Sequence, residues 1–143
     1  MPKISVKEIR NISKTALMQH GALDWISEEV ADAVAVSESV GNRICGLYYL
    51  ESYCEQLLSG RVDGQASPDV QLVRPGSIYV NADDGFAQPA FSKGLPEALK
   101  IAEKNGIASM SVGRAHTCTS LGYFTKKIAE AGFLGLGLTN ASP

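Results

Sequence analysis

The residues best suited to chemistry in this chain lie in a polar loop between two apolar segments. Residues 107–112 have the composition of a strand, and the apolar spacing from Leu121 to Ala131 predicts a helix. The loop between them holds His116, one of only two histidines. Junctions of a strand's carboxyl end with a helix are common sites of catalysis in α/β proteins, and imidazole transfers protons near neutral pH. The loop is the first candidate site, although it names no reaction by itself.

Each polar group of this loop has a catalytic and a structural interpretation. His116 would protonate a carbonyl or imine while a hydride arrives elsewhere on the substrate, or it would cap the following helix or bond a backbone carbonyl. Thr119 would hold a carboxylate or phosphate at the positive end of that helix, or act as its N-cap. Arg114 would clamp a substrate carboxylate, or remain solvated. The sequence leaves all three pairs open.

The connection between the second and third predicted helices, residues 41–49, is a candidate second wall of the site. Its two glycines allow the backbone to turn. Its polar side chains belong to Asn42, Arg43, Cys45 and Tyr49. The alternative is a helix–helix corner in which the adjacent tyrosines pack.

Composition limits the classes of protein that this chain can represent. With 143 residues, 45% hydrophobic and 20% charged, it can form one globular domain with a substantial core. The net charge of -2 gives no electrostatic reason to bind nucleic acid or a membrane surface. No apolar run approaches the roughly 20 residues of a membrane span, and the N-terminus lacks a signal-peptide pattern. Three cysteines without CxxC spacing favour a reducing cytoplasm over a zinc or disulfide framework.

Hydrophobic spacing and capping signals predict an N-terminal helical subdomain over residues 1–62. A capping box at Ser5–Glu8 starts the first helix, and His20 lies at its end, where we assign it a structural role. The second helix is predicted from about Ser27 to Gly41, and the third from about Leu47 to Leu58.

Residues 63–143 predict the start of an α/β domain. Two short strands and a helix come first, followed by a strand–helix–strand order that indicates a βαβ unit with buried strands. The predicted elements are strands at 70–73 and 78–80, a helix at 90–104, a strand at 107–112, a helix at 121–131 and a strand at 133–138. The chain ends just after this core-type strand, so we expect the domain to be truncated after Pro143. A short protein whose last strand lies at a sheet edge is the alternative.

The order of several short motifs resembles one family of enzymes. The motifs are Gln19–Ala22, Leu50–Tyr53, Asp84–Ala90, His116, Gly122–Phe124 and Leu138–Pro143. Together they resemble the type-2 malate/L-lactate dehydrogenases, NAD(P)-dependent oxidoreductases that include diketogulonate, ureidoglycolate, sulfolactate and cyclic-imine enzymes. The chain contains no GxGxxG, P-loop, HExxH or GxSxG motif. This absence agrees with the family, which has an α/β fold of its own rather than a Rossmann domain.

The resemblance implies an α/β (α+β) fold in which a helical subdomain precedes a non-Rossmann α/β portion. It also implies that His116 is the acid/base, that NAD or NADP is the cofactor, and that the enzyme is a homodimer acting on a small carboxylate substrate. The cofactor would be approached by the turn that contains Asn140, Ala141 and Ser142.

The chain departs from the family pattern at two places. Where the family has Ser-His-Gly followed by Arg, this chain has Ile44-Cys45-Gly46 followed by Tyr49. A neutral thiol is a poor proton donor at pH 7, and tyrosine does not clamp a carboxylate as arginine does. Arg43 could take over that carboxylate. Family members also continue beyond the Thr-Asn-Ala-Ser-Pro turn, and much of their cofactor surface lies in that later chain.

The sequence thus predicts an NAD(P)-dependent oxidoreductase, or an N-terminal fragment of one. The reaction would transfer a hydride between nicotinamide and a 2-hydroxy or 2-oxo acid or a cyclic imine carboxylate. The predicted catalytic residues are His116, Cys45 and Tyr49, and the predicted substrate-binding residues are Arg43, Arg114 and Thr119. The alternative is a catalytically inactive short α/β protein or interaction module derived from that family.

Overall fold

The structure is a computed structural model that describes residues 4–140, so Ala141, Ser142 and Pro143 lie outside the described residues. Within that range it has five α-helices and three strands. In chain order these are α1 (Val6–Gln19), α2 (Asp24–Ser39), α3 (Leu47–Leu58), β1 (Asp69–Arg74), β2 (Ser77–Asn81), α4 (Ala87–Asn105), β3 (Ser109–Gly113) and α5 (Leu121–Glu130). A 3₁₀ turn, Arg43–Cys45, joins α2 to α3. None of these helices combines the length and apolarity that crossing a bilayer requires.

The N-terminal helices form largely as predicted. The Ser5 hydroxyl accepts the Glu8 amide, and the Glu8 carboxylate accepts the Ser5 amide at 2.8 Å, so the capping box is confirmed. α3 has its predicted bounds. α2 begins about one turn earlier than the predicted Ser27, at Asp24. The Asp24 carboxylate lies in the first turn, where the positive end of the helix dipole stabilises a negative charge.

The buried cluster beneath α1–α3 also includes Val62 and Phe86 from beyond these helices. These two residues lie on either side of the predicted subdomain boundary at residue 62. The boundary stays a prediction, and the core is shared across it.

The small sheet has the order β1-β2-β3. β1 and β2 form an antiparallel hairpin, as the two short apolar runs predict. β2 and β3 are parallel, with Ile78 opposite Met110 and Val80 opposite Val112, and α4 connects them. The βαβ unit of the described residues is therefore β2–α4–β3, one strand earlier than the unit predicted from the sequence.

α4 packs closely on the sheet because one of its residues has no side chain. A Cβ on Gly94 would lie 2.5 Å from Val80 Cγ2 and 2.6 Å from Met110 Sδ. Gly94 and Pro96 both lie inside the helix, although their types weaken the helical signal. The glycine is needed for the close approach of helix and sheet.

The predicted buried strand at 133–138 is wrong for the described residues. The segment has no strand assignment, and residues 134–140 make no backbone–backbone hydrogen bond with the described part of the chain. Its glycines face α5, since a Cβ on Gly135 would lie 3.1 Å from Ile128. The opposite side carries leucines that are 103%, 85% and 83% exposed, namely Leu134, Leu136 and Leu138. Alternating apolar residues indicated burial, but within residues 4–140 only the glycine side is covered.

β3 also differs from the buried strand that the sequence indicates. It begins at Ser109 rather than 107, and Ile107 is 77% exposed. β3 lies at an edge of the described sheet, which explains why its residues are partly exposed.

Replacing Gly94 with alanine should destabilise the fold by about 1–3 kcal/mol, because the new methyl group would overlap Val80 and Met110. Gly122→Ala in α5 is the matched control, since the nearest atom to its Cβ would be Ser120 Oγ at 3.6 Å. The control should be neutral or stabilising by up to about 1 kcal/mol from helix propensity. Urea unfolding of both variants measures the difference, and equal stability would contradict the close packing of α4.

Candidate active site

The loop that carries His116 is held by backbone hydrogen bonds to the start of α4. The His116 amide donates to the Gly85 carbonyl at 2.9 Å, and the Ala87 amide donates to the His116 carbonyl at 3.1 Å. The loop continues through Thr117 and Thr119, whose φ angles of 52° and 50° lie in the left-handed region. Such angles are costly for threonine and persist only where surrounding contacts enforce them.

The His116 ring is half-buried and makes no hydrogen bond with residues 4–140. The structural interpretation, in which the ring caps α5 or bonds a carbonyl, therefore has no supporting contact in the described chain. His20 behaves differently, because its Nδ1 donates to the Ala16 carbonyl at 2.7 Å at the end of α1. Both ring nitrogens of His116 therefore remain available to a bound molecule, whereas one nitrogen of His20 is already used.

Arg114 forms an intramolecular ion pair at the protein surface. Its Nε donates to Asp84 Oδ1 at 3.2 Å, its Nη2 pairs with the other oxygen of the same carboxylate, and Asp83 lies 3.8 Å from Nη1. The Arg114 hydrogen bond lowers the pKa of Asp84, and the nearby His116 lowers it further. The two-pronged geometry expected for a substrate carboxylate is thus formed with Asp84.

Tyr53, on α3, is the centre of a buried polar network that the sequence did not predict. Its side chain is 0% exposed, and its Oη lies 3.0 Å from both Thr119 Oγ1 and Gln88 Nε2. Burial raises the pKa of Tyr53, so the phenol stays neutral. A parallel bond joins Thr117 Oγ1 to Gln56 Oε1 at 2.8 Å. The network ties the His116 loop to α3 and α4.

Gln88 is fully buried and donates to three oxygen atoms. Besides Tyr53, its Nε2 reaches the carbonyls of Thr117 at 3.2 Å and Cys118 at 3.4 Å. Its Oε1 has no hydrogen-bond partner in the described structure. Reversing the amide would place this oxygen against two carbonyl oxygens, which cannot donate. The observed orientation leaves one acceptor unpaired and avoids that repulsion.

The second wall is shaped by Glu38 of α2. The Glu38 carboxylate accepts the Leu47 amide at 2.8 Å and so caps α3 from another helix. Gly46 permits this approach, because a Cβ there would overlap the Glu38 side chain. Cys45 lies just before Gly46 and is half-buried. The corner is therefore fixed at the position where the sequence predicts catalytic residues.

Cys45 and Tyr49 lie near the Tyr53 network. The Tyr49 ring packs edge-on against Tyr53 with centroids 5.1 Å apart, and both Tyr49 and Cys45 contribute to raising the pKa of Tyr53. A side-chain contact joins this corner to the start of α5, where Asn42 Nδ2 donates to Ser120 Oγ at 3.4 Å. Ser120 occupies the N-cap position of α5 but makes no side-chain capping bond.

The structure brings some of the predicted site residues together and separates others. Cys45, Tyr49 and Thr119 lie near Tyr53, whereas Arg114 pairs with Asp84 and the nearby His116 lowers the pKa of that carboxyl. The remaining predicted residues within the described range, Arg43 and Asn140, are exposed. Ala141 and Ser142 lie outside the described residues.

The residues that sequence reasoning missed are Tyr53, Gln88 and Gln56. Tyr53 and Gln88 do stand within motifs that carry the family resemblance. The only further signal is a polar residue placed among apolar neighbours of a helix, which predicts a buried hydrogen bond but does not name its partner.

Comparison with solved structures identifies the class of protein. The structure of Δ1-piperideine-2-carboxylate reductase from Pseudomonas syringae pv. tomato matches 92% of this chain and 40% of that one, with a TM-score of 0.88 and 26% identity. The Δ1-pyrroline-2-carboxylate/Δ1-piperideine-2-carboxylate reductase of Pseudomonas aeruginosa is 30% identical over 139 residues, 97% of this chain and 42% of its own length. The fold is thus that of dehydrogenases and reductases.

The malate/L-lactate dehydrogenase family model matches residues 4–143, and the chain belongs to that family. Ureidoglycolate dehydrogenase (NAD(+)) of Escherichia coli is 26% identical over 141 residues, 99% of this chain and 40% of its own length. Another relative, from Chromohalobacter salexigens, is named (2R)-3-sulfolactate dehydrogenase (NADP(+)). The fold class and family expected from the sequence are confirmed, and the chain spans about 40% of the length of these relatives.

Replacing Arg114 with glutamine should raise the pKa of Asp84 toward its ordinary value, because the guanidinium hydrogen bond is the largest cause of its depression. Since the folded pKa lies below the unfolded one, the pair stabilises the fold above the unfolded pKa. That stability is lost as pH falls through the folded pKa. Carboxyl-carbon NMR titration measures the change, with Lys100→Gln, which removes the exposed Glu97 pair, as the control. An unchanged Asp84 titration would contradict the assigned pairing.

Proposed function

We propose that the protein carrying this chain is an NAD(P)-dependent oxidoreductase that acts on a cyclic imine carboxylate or a 2-hydroxy or 2-oxo acid. The observation that carries the proposal is the His116 ring, held on a pinned loop, half-buried and free of hydrogen bonds within residues 4–140. The names of the relatives support the same chemistry, because they act on cyclic imine carboxylates and hydroxy acids. We also propose a homodimer, as the resemblance implies, and a cytoplasmic location, which the three cysteines without CxxC spacing favour.

In this proposal His116 gives its proton to the imine nitrogen or carbonyl oxygen of the substrate and takes it back in the reverse direction. Thr119, whose hydroxyl is linked to Gln88 through Tyr53, belongs to the same loop and offers a second polar group to the substrate. Arg114 is already paired with Asp84. Among the predicted cations, the exposed Arg43 is therefore better placed to meet the substrate carboxylate.

The nicotinamide cofactor supplies or accepts the hydride when it is bound. The described residues fit the substrate side of such a site. On the cofactor side, Asn140 is exposed at the end of a segment whose peptide groups make no backbone hydrogen bond with residues 4–140, and these groups can serve the polar parts of a ligand. The relatives include an NAD(+)-dependent and an NADP(+)-dependent enzyme, so the proposal covers both cofactors.

A catalytically inactive protein or interaction module is the second candidate. Two substitutions favour it. Cys45 stands where the family pattern has histidine, and Tyr49 stands where it has arginine. A thiol and a phenol do not offer the positive charge that an arginine brings to a carboxylate. The pairing of Arg114 with Asp84 removes a further carboxylate ligand.

Activity assays of His116→Ala distinguish the two candidates. Reduction of pyruvate and of Δ1-piperideine-2-carboxylate with NADH or NADPH is followed by nicotinamide fluorescence. Loss of the acid/base should lower kcat on the order of 10²–10⁴-fold. His20→Ala is the matched control, because His20 bonds only the Ala16 carbonyl, and it should keep the parent kcat.

Two results would count against the oxidoreductase. A loss below tenfold in His116→Ala would remove the ring from the chemistry. A parent protein that neither binds NADH or NADPH nor reduces any of these substrates would favour the inactive module.

A further inference from the structure

The hydrogen bonds around Tyr53 have only one consistent direction. Gln88 Nε2 can only donate, so Tyr53 Oη accepts from it at 3.0 Å. The phenol has a single hydrogen, and its other neighbour within hydrogen-bond distance is Thr119 Oγ1. If Thr119 were the donor, the hydrogen of a fully buried phenol would have no acceptor among residues 4–140, which proteins rarely tolerate. Tyr53 therefore donates to Thr119.

This direction determines what Thr119 can offer to a ligand. Its Oγ1 already accepts the Tyr53 hydrogen, and its own hydrogen has no partner within residues 4–140. The residue is half-buried, so part of its surface is open to solvent and to a bound molecule. Gln88 holds the carbonyls of Thr117 and Cys118, which fixes the backbone just before Thr119.

We propose that Gln88 and Tyr53 are positioning residues that fix the Thr119 hydroxyl as a hydrogen-bond donor for a carboxylate or carbonyl oxygen of the substrate. The identity of that oxygen rests on the proposed function. The relay offers a neutral donor in a site where Tyr49 stands at the family's arginine position and Arg114 is paired with Asp84. An oriented hydroxyl needs no formal charge to bind an acceptor, and accepting the Tyr53 hydrogen restricts the directions in which Thr119 can donate.

Pyruvate binding to the purified protein tests the relay, with affinities from isothermal titration. Thr119→Val should weaken binding about tenfold or more, whereas Thr119→Ser, which keeps the hydroxyl, should bind like the parent. Tyr53→Phe should weaken binding several-fold, because the Thr119 hydroxyl is then free to rotate. The double variant should bind no more weakly than Thr119→Val, since Tyr53 acts only through Thr119. Tyr48→Phe, at a 79% exposed tyrosine, is the control and should bind like the parent.

A ligand-free measurement separates this inference from the proposed function. In protein labelled at threonine methyl groups, Tyr53→Phe should shift or broaden the Thr119 signal and leave Thr15 and Thr125 unchanged. That result supports the relay even if the parent protein binds no pyruvate, an outcome that would count only against the proposed substrate.

Two outcomes overturn the inference. One is a Thr119 signal that does not respond to Tyr53→Phe. The other is a Tyr53→Phe loss of affinity that is just as large in the Thr119→Val background, which would show that Tyr53 supports the fold and does not act through Thr119.

Discussion

The candidate site depends on one amide group that is completely excluded from water. Gln88 donates to the Tyr53 hydroxyl and to two successive carbonyls of the His116 loop, and so joins three separate parts of the chain. Its own Oε1 remains unpaired, a cost of about 1–3 kcal/mol. Two threonines of the loop also have left-handed φ angles. Both features cost free energy, and both occur where the conformation of the His116 loop is fixed. They therefore serve the geometry of the loop rather than the stability of the fold.

The same helix that carries Gln88 also determines how the sheet is packed. The first turn of α4 bonds the His116 backbone through Ala87, and its middle lies against β2 and β3 at Gly94. Because α4 is also the crossover between these parallel strands, the loop and the sheet edge are held by one rigid element. A shift of α4 would therefore move the loop and its imidazole together. Catalytic geometry gains precision when it is supported by a regular element in this way.

Sequence reasoning succeeded where the determining contacts are local. The capping box at Ser5–Glu8, the bounds of α3 and the β1–β2 hairpin follow from residues a few positions apart. The Tyr53 network could not be predicted, because Gln88 lies 35 positions and Thr119 lies 66 positions from Tyr53. The prediction of a buried strand at residues 133–138 was wrong for another reason. Alternation of glycine and leucine has the same pattern whether leucines or glycines face the neighbouring element, and here the glycines face α5.

The electrostatics of the site follow from how its charges are already used. Arg114 is paired with Asp84 and the Tyr53 phenol is held neutral by burial, so neither adds a free charge to the candidate site. The corner residues Cys45 and Tyr49 are a thiol and a phenol, and the other predicted cation, Arg43, is exposed. An anionic substrate would then be attracted weakly and from the rim, where water screens the interaction. Its orientation within the candidate site would then have to come from neutral hydrogen-bond donors such as the Thr119 hydroxyl, which the buried network positions.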